Sequence, residues 1–341
     1  MQADWQAFLT AQGAIIEDGA VQHFGDAAAE LAATAQRTVL CDLGQFSILR
    51  VSGEDAQSFL QNLLSNDIRE VSAAHAQYSS FNSAKGRMLA SFLIWRDGED
   101  FLLQLPGTLS DAMRNKLSMY VMRAKVKITG DDVIALGISG EQAHALLPET
   151  CNELPPMGAV HADGLTAIRL GESRFLLCTA PAQAQTRWQT LSIRAMPVGS
   201  SCWDWLNIRA GIPVILPQTQ EQFVPQMVNF DLTGGINFKK GCYPGQEIVA
   251  RMHYLGKLKR RMYLAHVESD TAPQPGDELY SEDMQGQASG MIANAASAPG
   301  GGYDVLAVVQ IASRDAHEVH LSSLQGPLLS FAALPYALPA P

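Results

Sequence analysis

The sequence lacks the features of a secreted, membrane-spanning or disulfide-stabilised protein. Its first residues, MQADWQAFLTAQGAIIEDGA, have neither a basic start nor an apolar stretch, and no run of about 18 apolar residues occurs anywhere. The cysteines are odd in number, far apart and without a CxxC pair, which argues against a zinc or thioredoxin-like motif. They are Cys41, Cys151, Cys178, Cys202 and Cys242. We therefore expect a cytoplasmic protein of a reducing compartment with no membrane partner.

Positive charge is also scarce. The chain has 24 Lys and Arg residues against 34 Asp and Glu residues, a net charge of -10. Neutralising the phosphates of a nucleic acid requires a basic face, so direct contact with nucleic acid is not expected. One segment departs from this balance, because seven basic side chains and a single acid lie between Lys239 and Arg261. Such a segment is either a solvated face or a site for an anionic ligand.

Length and apolar content predict a large folded protein. The chain has 341 residues, of which 47% are hydrophobic and 17% charged. This composition is that of a well-buried globular protein, and the length favours two or three packed domains over a single core.

An internal repeat indicates duplication. SGEDAQSFL at 52–60 matches SGEQAHALL at 139–147, and each copy follows a short apolar run. This pattern predicts a strand, a turn and a helix, with Ser52 or Ser139 as the helix cap. Similar pairs of strands and a second helix follow both copies, so we expect two ferredoxin-like β-α-β-β-α-β units. Chance similarity is the alternative, since SGE before an amphipathic helix is a common start signal.

The residue pattern of the chain changes after Arg261. Short apolar runs separated by Gly, Pro and Asp predict a small antiparallel β-barrel or sandwich, and the tail PYALPAP is expected to be irregular. We therefore predict an α+β fold with a first unit at 1–130, a second at 131–260 and a C-terminal β-barrel-like domain at 261–341.

The most informative stretch is INFKKGCYPGQEIVARMHYL at 236–255. Gly241 and Gly245 flank the thiol of Cys242 in a tight loop, and a helix is expected to begin near Pro244, since proline suits a first helical turn. The apolar positions of this helix are Ile248, Val249, Met252 and Leu255.

This arrangement favours a reactive thiol. A helix N-terminus and the neighbouring Lys239 and Lys240 would both stabilise a thiolate at Cys242. Three interpretations remain open: a small buried residue on a glycine turn, a nucleophile, or a ligand. The sequence does not indicate a Cys-His pair, because His253 lies three helical turns from Cys242 and is typical of a surface histidine. One cysteine cannot hold a metal ion or cluster, so no metal site is predicted within the chain itself, and other chains would have to contribute ligands.

Three segments resemble a known family. FKKGCYPGQEIVAR is similar to the KGCYxGQE signature of the YgfZ family, and NIRAGIPVI with FVPQMVN resembles the stretch before that signature. FNSAKGRMLASFLIW resembles the strand that lines the folate site in T-proteins of the glycine cleavage system. With the repeat and the β-rich end, the resemblance covers nearly the whole chain. It implies a T-protein-like three-domain ring around a central tetrahydrofolate pocket, and a role in assembling or repairing iron–sulfur proteins, including enzymes that modify tRNA.

Two departures bear on the activity. T-proteins that transfer an aminomethyl group carry an Asp-Asp pair where this chain has Ala90 and Ser91, and a carboxylate there is taken to assist the folate amine. Arg209 stands where a folate-contacting glutamate is often found. Aminomethyltransferase activity of the glycine-cleavage type is therefore the alternative function and is not expected. If the protein is an enzyme, the resemblance implies a folate-dependent one-carbon transferase.

The resemblance and the loop together give a set of candidate site residues. Cys242 is the predicted reactive group, with Lys240 as its catalytic partner. The residues predicted to bind tetrahydrofolate are Lys239, Gly241, Tyr243, Gly245, Gln246, Glu247, Arg251, Arg209 and Met227. Trp203 and Trp205 either stack on the pterin or belong to the core. The implied partners are folate and iron–sulfur proteins or their assembly factors. Direct contact with tRNA through the basic segment is a third alternative, and the acidic remainder of the chain argues against it.

Overall fold

A computed structural model describes residues 1–151, 153–254 and 256–339. Leu255, the last apolar position of the predicted helix, lies outside the described residues. So do Ala340 and Pro341, at the end of the predicted irregular tail.

Helices and strands alternate along the described residues. The helices are α1 (Ala3–Ala11), α2 (Ala27–Thr34), α3 (Ala56–Gln61), α4 (Gly107–Ser118), α5 (Pro181–Ser192), α6 (Ser200–Arg209), α7 (Gln246–Tyr254) and α8 (Ile311–Ala316). The strands are β1 (Ile15–Glu17), β2 (Ala20–His23), β3 (Val39–Asp42), β4 (Phe46–Ser52), β5 (Gln77–Asn82), β6 (Met88–Asp97), β7 (Asp100–Pro106), β8 (Lys127–Gly130), β9 (Ile134–Ser139), β10 (Ala159–Ala162), β11 (Leu165–Arg169), β12 (Arg174–Thr179), β13 (Met196–Val198), β14 (Arg260–Val267), β15 (Glu278–Tyr280), β16 (Ala288–Ser297), β17 (Tyr303–Gln310), β18 (His320–Leu321) and β19 (Leu329–Ala332). Among the described residues, no helix combines the length and apolar character needed to cross a membrane.

The chain divides into two compact units, and it enters each of them more than once. Unit 1 comprises Met1–Ala56, Glu70–Gln77 and Leu93–Trp203. Unit 2 comprises Gln57–Arg69, Tyr78–Phe92 and the chain from Asp204 onward. Segments that are distant in the sequence are therefore brought together in unit 2. The division at residues 130 and 260 stays a prediction.

The strand orders agree with a duplicated ferredoxin-like unit. The first repeat has the order β6-β7-β4-β8, preceded at its edge by β5, and β6 runs from unit 2 into unit 1. The second repeat has the order β11-β12-β9-β3-β13, in which β3 lies between the first and last strands of the motif. β3 pairs antiparallel with β9 and parallel with β13. The predicted mixed α+β class is confirmed.

The glycine shared by the two copies of the repeat has a structural explanation. Gly53 and Gly140 directly follow strands and have φ of 112° and 127°, where side chains are rarely accommodated. A Cβ at Gly53 would lie 2.1 Å from the Lys125 carbonyl oxygen, and one at Gly140 would lie 2.5 Å from Thr38 Cα. In both copies, the chain therefore needs glycine where it leaves the strand, because backbone atoms of another segment lie close by.

Two details of the predicted repeat are wrong. Ser52 and Ser139 end strands β4 and β9 and do not cap helices. The second predicted helix is only a 3-10 turn at His144–Leu146. Pro148 accounts for this, because it disfavours helical backbone at Leu147, which has φ -107° and ψ 162°.

Trp203 belongs to the core of unit 1. Its side chain is buried, and a Cβ at Gly137 would lie 2.5 Å from the indole ring. The guanidinium of Arg174 lies 5.5 Å from the centre of the same ring. These contacts favour the core interpretation of Trp203 over pterin stacking.

Unit 2 contains an antiparallel sheet in the order β18-β15-β16-β17-β14-β19. Alternate residues of β14 face two different apolar clusters: Met262 and Leu264 pack into one, Tyr263 and Ala265 into the other. The first cluster also includes Val249 of α7. The predicted C-terminal antiparallel β structure is confirmed, and it provides the support on which α7 rests.

Candidate functional site

The loop that carries Cys242 ends where helix α7 begins, at Gln246 and not near Pro244 as predicted. Gly245 has φ 76°, in the left-handed region, so it cannot be part of the helix. Cys242 therefore lies outside the first turn of α7, where the helix dipole acts most strongly. This weakens one of the two reasons for a thiolate.

Cys242 differs from the other cysteines in exposure. It is exposed, whereas Cys41, Cys151, Cys178 and Cys202 are buried. The interpretation of Cys242 as one more small buried residue is therefore wrong. A thiol presented to solvent on an ordered loop is available to a reagent, a ligand or a protein partner.

Lys240 is directed into the protein. It is 5% exposed, and its Nζ donates hydrogen bonds to the carbonyls of Gln61 at 2.6 Å, Asn66 at 3.1 Å and Leu64. An ammonium group has three protons, so these carbonyls use its full donor capacity. Burial lowers the pKa of Lys240 to about 8. These contacts make Lys240 a positioning residue that fixes the cysteine loop to the chain after α3.

Some sequence neighbours of Lys240 support the loop, and others lie on the surface. Tyr243 is buried, with its ring centre 5.1 Å from Lys240 Nζ, and Gln246 Nε2 donates to the Lys240 carbonyl at 3.3 Å. Lys239 and Gly241 are exposed. A Cβ at Gly241 would meet open space, so the fold does not require glycine there. Glu247 and Arg251 are exposed on α7.

The cysteine loop interlocks with a second turn of unit 2. The FNSAKGR segment contains a turn that ends at Gly86, which has φ 71°. The Ser83 carbonyl accepts a hydrogen bond from the Gly86 amide at 2.9 Å. A Cβ at Gly245 would lie 2.5 Å from both Gly86 Cα and the Ser83 carbonyl oxygen. A Cβ at Gly86 would lie 2.9 Å from Ile248 Cβ. Neither glycine can gain a side chain without separating the turns.

The FVPQMVN segment completes this neighbourhood. Met88 donates its amide to the Phe223 carbonyl and accepts the Glu221 amide, both at 2.8 Å. Gln226 Nε2 donates to the Val249 carbonyl of α7 at 2.6 Å. The partly buried Met227 packs against the apolar cluster that contains Val249. All three motif segments thus meet in unit 2.

Several buried polar atoms in this neighbourhood have no hydrogen-bond partner among the described residues. They are Asn82 Nδ2, Ser83 Oγ and Gln226 Oε1. Burying a polar group without a partner costs about 1–3 kcal/mol, so such atoms point to water or a ligand. The quoted segments contain these residues, but sequence reasoning missed them, because polarity alone does not distinguish a paired side chain from an unpaired one.

Arg209, Ala90 and Ser91 have clear structural surroundings. Arg209 ends α6 and pairs with Asp304 at 3.5 Å, and Trp205 Nε1 donates to the same carboxylate at 2.9 Å. Ala90 is fully buried, and Ser91 Oγ accepts the Ile215 amide at 3.0 Å. The described contacts of Arg209 thus lie at Asp304 on β17 and not at the cysteine loop.

A cavity of about 520 Å³ lies in unit 1, and it contains none of the predicted site residues. Its charged lining residues are Arg50, Asp97, Asp131, Asp132 and Asp163. Arg50 is already engaged by Asp97 at 2.7 Å and Asp131 at 2.5 Å. The excess of carboxylates makes this cavity unsuitable for an anionic ligand such as folate.

Comparison with known proteins agrees with this architecture. The family described as the GCVT N-terminal domain matches residues 8–156. The crystal structure of glycine cleavage system aminomethyltransferase T from Bartonella henselae has a TM-score of 0.79 at 18% identity, covering 97% of this chain and 96% of that one. The fold is therefore that of the T-proteins.

Closer sequence relatives narrow the class. The tRNA-modifying protein YgfZ of Escherichia fergusonii is 33% identical over 245 residues, which is 70% of this chain and 75% of the relative. The tRNA-modifying protein YgfZ of Enterobacter sp. strain 638 has the same identity and coverage. The chain belongs to the YgfZ family, as its KGCYPGQE segment predicted.

Proposed function

We propose that this protein binds a reduced folate beside the interlocked turns of unit 2 and supports iron–sulfur proteins, including enzymes that modify tRNA. The observation that carries folate binding is the group of unpaired buried atoms at Asn82, Ser83 and Gln226 next to the Gly86–Gly245 contact. The tRNA part rests on the name of the YgfZ relatives. The iron–sulfur part rests on the resemblance of the cysteine segment to that family.

The chemistry of the unpaired atoms suits a pterin. The amide nitrogen of Asn82 is a donor, the amide oxygen of Gln226 is an acceptor and the Ser83 hydroxyl can act as either. A pterin ring presents both donors and acceptors. The exposed Lys239 and Arg251 would attract the carboxylates of the folate tail. Tetrahydrofolate would supply nitrogen atoms able to carry a one-carbon unit.

We do not propose aminomethyl transfer. Ala90 has no group to handle a proton, and Ser91, whose Oγ accepts the Ile215 amide, has a hydroxyl in place of a carboxylate. A carboxylate-assisted attack therefore lacks its agent at these positions. Turnover of an aminomethylated lipoyl carrier protein to methylene-tetrahydrofolate and ammonia would contradict this part of the proposal.

Calorimetric titration with tetrahydrofolate tests the binding. We expect binding by the native protein and roughly tenfold weaker binding by Ser83→Ala, equivalent to about 1.4 kcal/mol for one lost hydrogen bond. The matched control is Ser289→Ala, a buried serine of β16 whose Oγ donates to the Leu279 carbonyl at 3.1 Å. It should lose stability and keep its folate affinity. Absence of both heat and thermal stabilisation at millimolar ligand would reject folate binding.

The role of Cys242 is tested separately. Because its thiol is exposed, Cys242→Ala should leave the melting temperature unchanged, and iodoacetamide should modify Cys242 before the four buried cysteines. In a deletion strain, we expect the variant to fail to restore the activity of iron–sulfur enzymes. Full complementation by Cys242→Ala would remove Cys242 from the functional site.

A further inference from the structure

Helix α7 and the loop before it form an aromatic group in which Phe238 is partly buried. His253 stacks on Phe238 with ring centres 3.8 Å apart and an angle of 13° between the rings. Tyr254 meets both rings edge to face, at 4.7 Å from His253 and 6.4 Å from Phe238. His253 is exposed and Tyr254 is 64% exposed, so aromatic surface is held in place by ring contacts while it faces solvent.

Exposed cations lie in the same segment of the chain as this group. Lys239, Arg251, Lys257 and Lys259 are exposed, and none of them has an ion-pair partner in the described part of the chain. The three other cations of this segment are engaged within the protein. Backbone carbonyls accept hydrogen bonds from Lys240, Arg260 donates to the Ala288 carbonyl at 3.3 Å, and the buried Arg261 pairs with Asp231 at 3.0 Å.

From this we infer that the aromatic-cation face, defined as Phe238, His253, Tyr254 and the exposed cations Lys239, Arg251, Lys257 and Lys259, binds single-stranded RNA. Exposed aromatic rings stack with unpaired bases, and lysine and arginine neutralise the phosphates between them. Arg251 and Tyr254 are three residues apart on one helix, so they lie on the same side of α7 and can contact a phosphate and a base together.

Charge and apolar area favour RNA over a protein partner. Among the described residues between 236 and 261, the exposed large hydrophobic side chains are Tyr254 and Ile248, the latter only 39% exposed. Such a small apolar area cannot form the buried centre of a stable protein interface, whereas base stacking needs only single ring faces.

The net charge of -10 does not prevent this interaction. Electrostatic attraction is screened over about 8 Å at physiological ionic strength, so the local surface determines it. Between residues 239 and 261 the sequence has one acid, Glu247, against seven basic residues. For this face, the inference therefore replaces the expectation that the acidic chain makes no direct contact with nucleic acid.

Fluorescence anisotropy with a labelled single-stranded oligoribonucleotide tests the inference, at several salt concentrations and with the full chain. We expect the double variant Lys257→Glu, Lys259→Glu to bind much more weakly and its slope of log affinity against log salt to be shallower by at least about 1.4. Tyr254→Ala should weaken binding roughly tenfold and leave the slope unchanged, because stacking involves no counterion release. The controls are Lys127→Glu, which makes one such charge reversal, and Tyr120→Ala, both at exposed positions of unit 1.

The outcomes separate this face from its alternatives. Equal binding by the double variant and by Lys127→Glu would overturn the inference, as would no binding at low salt. The inference would also be overturned if polyglutamate competed as well as RNA and Tyr254→Ala had no effect. That result would identify a general surface for acidic partners. Tetrahydrofolate titration of the same variants should match the native protein, so failure here is distinguishable from failure of the folate proposal.

Discussion

Two neighbouring groups of buried polar residues in unit 2 are satisfied to very different degrees. Ser65 Oγ donates to the Gly235 carbonyl at 2.7 Å and accepts from the amide and hydroxyl of Ser80 at 2.8 and 2.9 Å. Just after Ser80 in the chain, the Asn82 amide nitrogen and the Ser83 hydroxyl have no partner in the described part of the chain.

This difference separates polar groups that support the loop from polar groups without a hydrogen-bond partner among the described residues. Ser65 and Ser80 fix the chain after α3 against the loop that leads to Cys242, and the Ser65 hydroxyl has its donor and both acceptor positions in use. Asn82 and Ser83 lie beside the interlocked glycines with capacity unused. A fold maintains unpaired buried groups at a cost of about 1–3 kcal/mol each, unless something outside the chain completes them.

The substitution with the largest expected effect removes the hydrogen bonds that hold the cysteine loop. Lys240→Met removes the ammonium and leaves the carbonyls of Gln61, Leu64 and Asn66 without their donor. We expect a loss of about 3 kcal/mol in the free energy of unfolding, measured by urea denaturation. The matched change Lys239→Met removes an exposed ammonium next to it and should alter stability by less than about 0.5 kcal/mol. Equal effects of the two substitutions would show that the carbonyl contacts do not hold the loop.

A pair of serine substitutions sharpens the comparison. Ser65→Ala removes one donor and one acceptor from a saturated group and should cost about 2 kcal/mol. Ser83→Ala deletes an unpaired hydroxyl and should leave stability unchanged or slightly raised. Urea denaturation without folate gives both values. If Ser83→Ala destabilises as much as Ser65→Ala, the hydroxyl has a structural partner and the distinction between the two groups fails.

Local pattern was sufficient for much of the fold. Short apolar runs separated by Gly, Pro and Asp predict the antiparallel C-terminal sheet. The repeated SGE segments locate equivalent strand ends, where Gly53 and Gly140 are required by close backbone. The errors also have local causes. Pro148 reduces the second repeat helix to a turn, and the positive φ of Gly245 delays the start of α7.

The site was less predictable because its contacts are not local. Lys240 is separated by 179, 176 and 174 residues from the carbonyls it binds, so no spacing rule reveals that it points inward. The exposed state of Cys242 depends on the same packing. The sequence motif singled out this segment as the candidate site, but the division of its residues between support and surface required the fold.

The smallest expected effect concerns pH. Burial lowers the pKa of Lys240 to about 8, with opposing influence from Asp67 and a further lowering by Arg69. In the unfolded chain the pKa returns to its usual value of about 10.4. Between these values the unfolded state binds more protons than the folded state, so the contribution of Lys240 to stability rises with pH. Relative to Lys240→Met, the native protein should gain on the order of 1 kcal/mol between about pH 7 and about pH 9, below the usual range of tyrosine titration. Urea denaturation of both proteins at these pH values gives the difference. A difference that shrinks as pH rises would mean that the three carbonyls stabilise the ammonium more than burial disfavours it, and the pKa of Lys240 would then lie above its usual value.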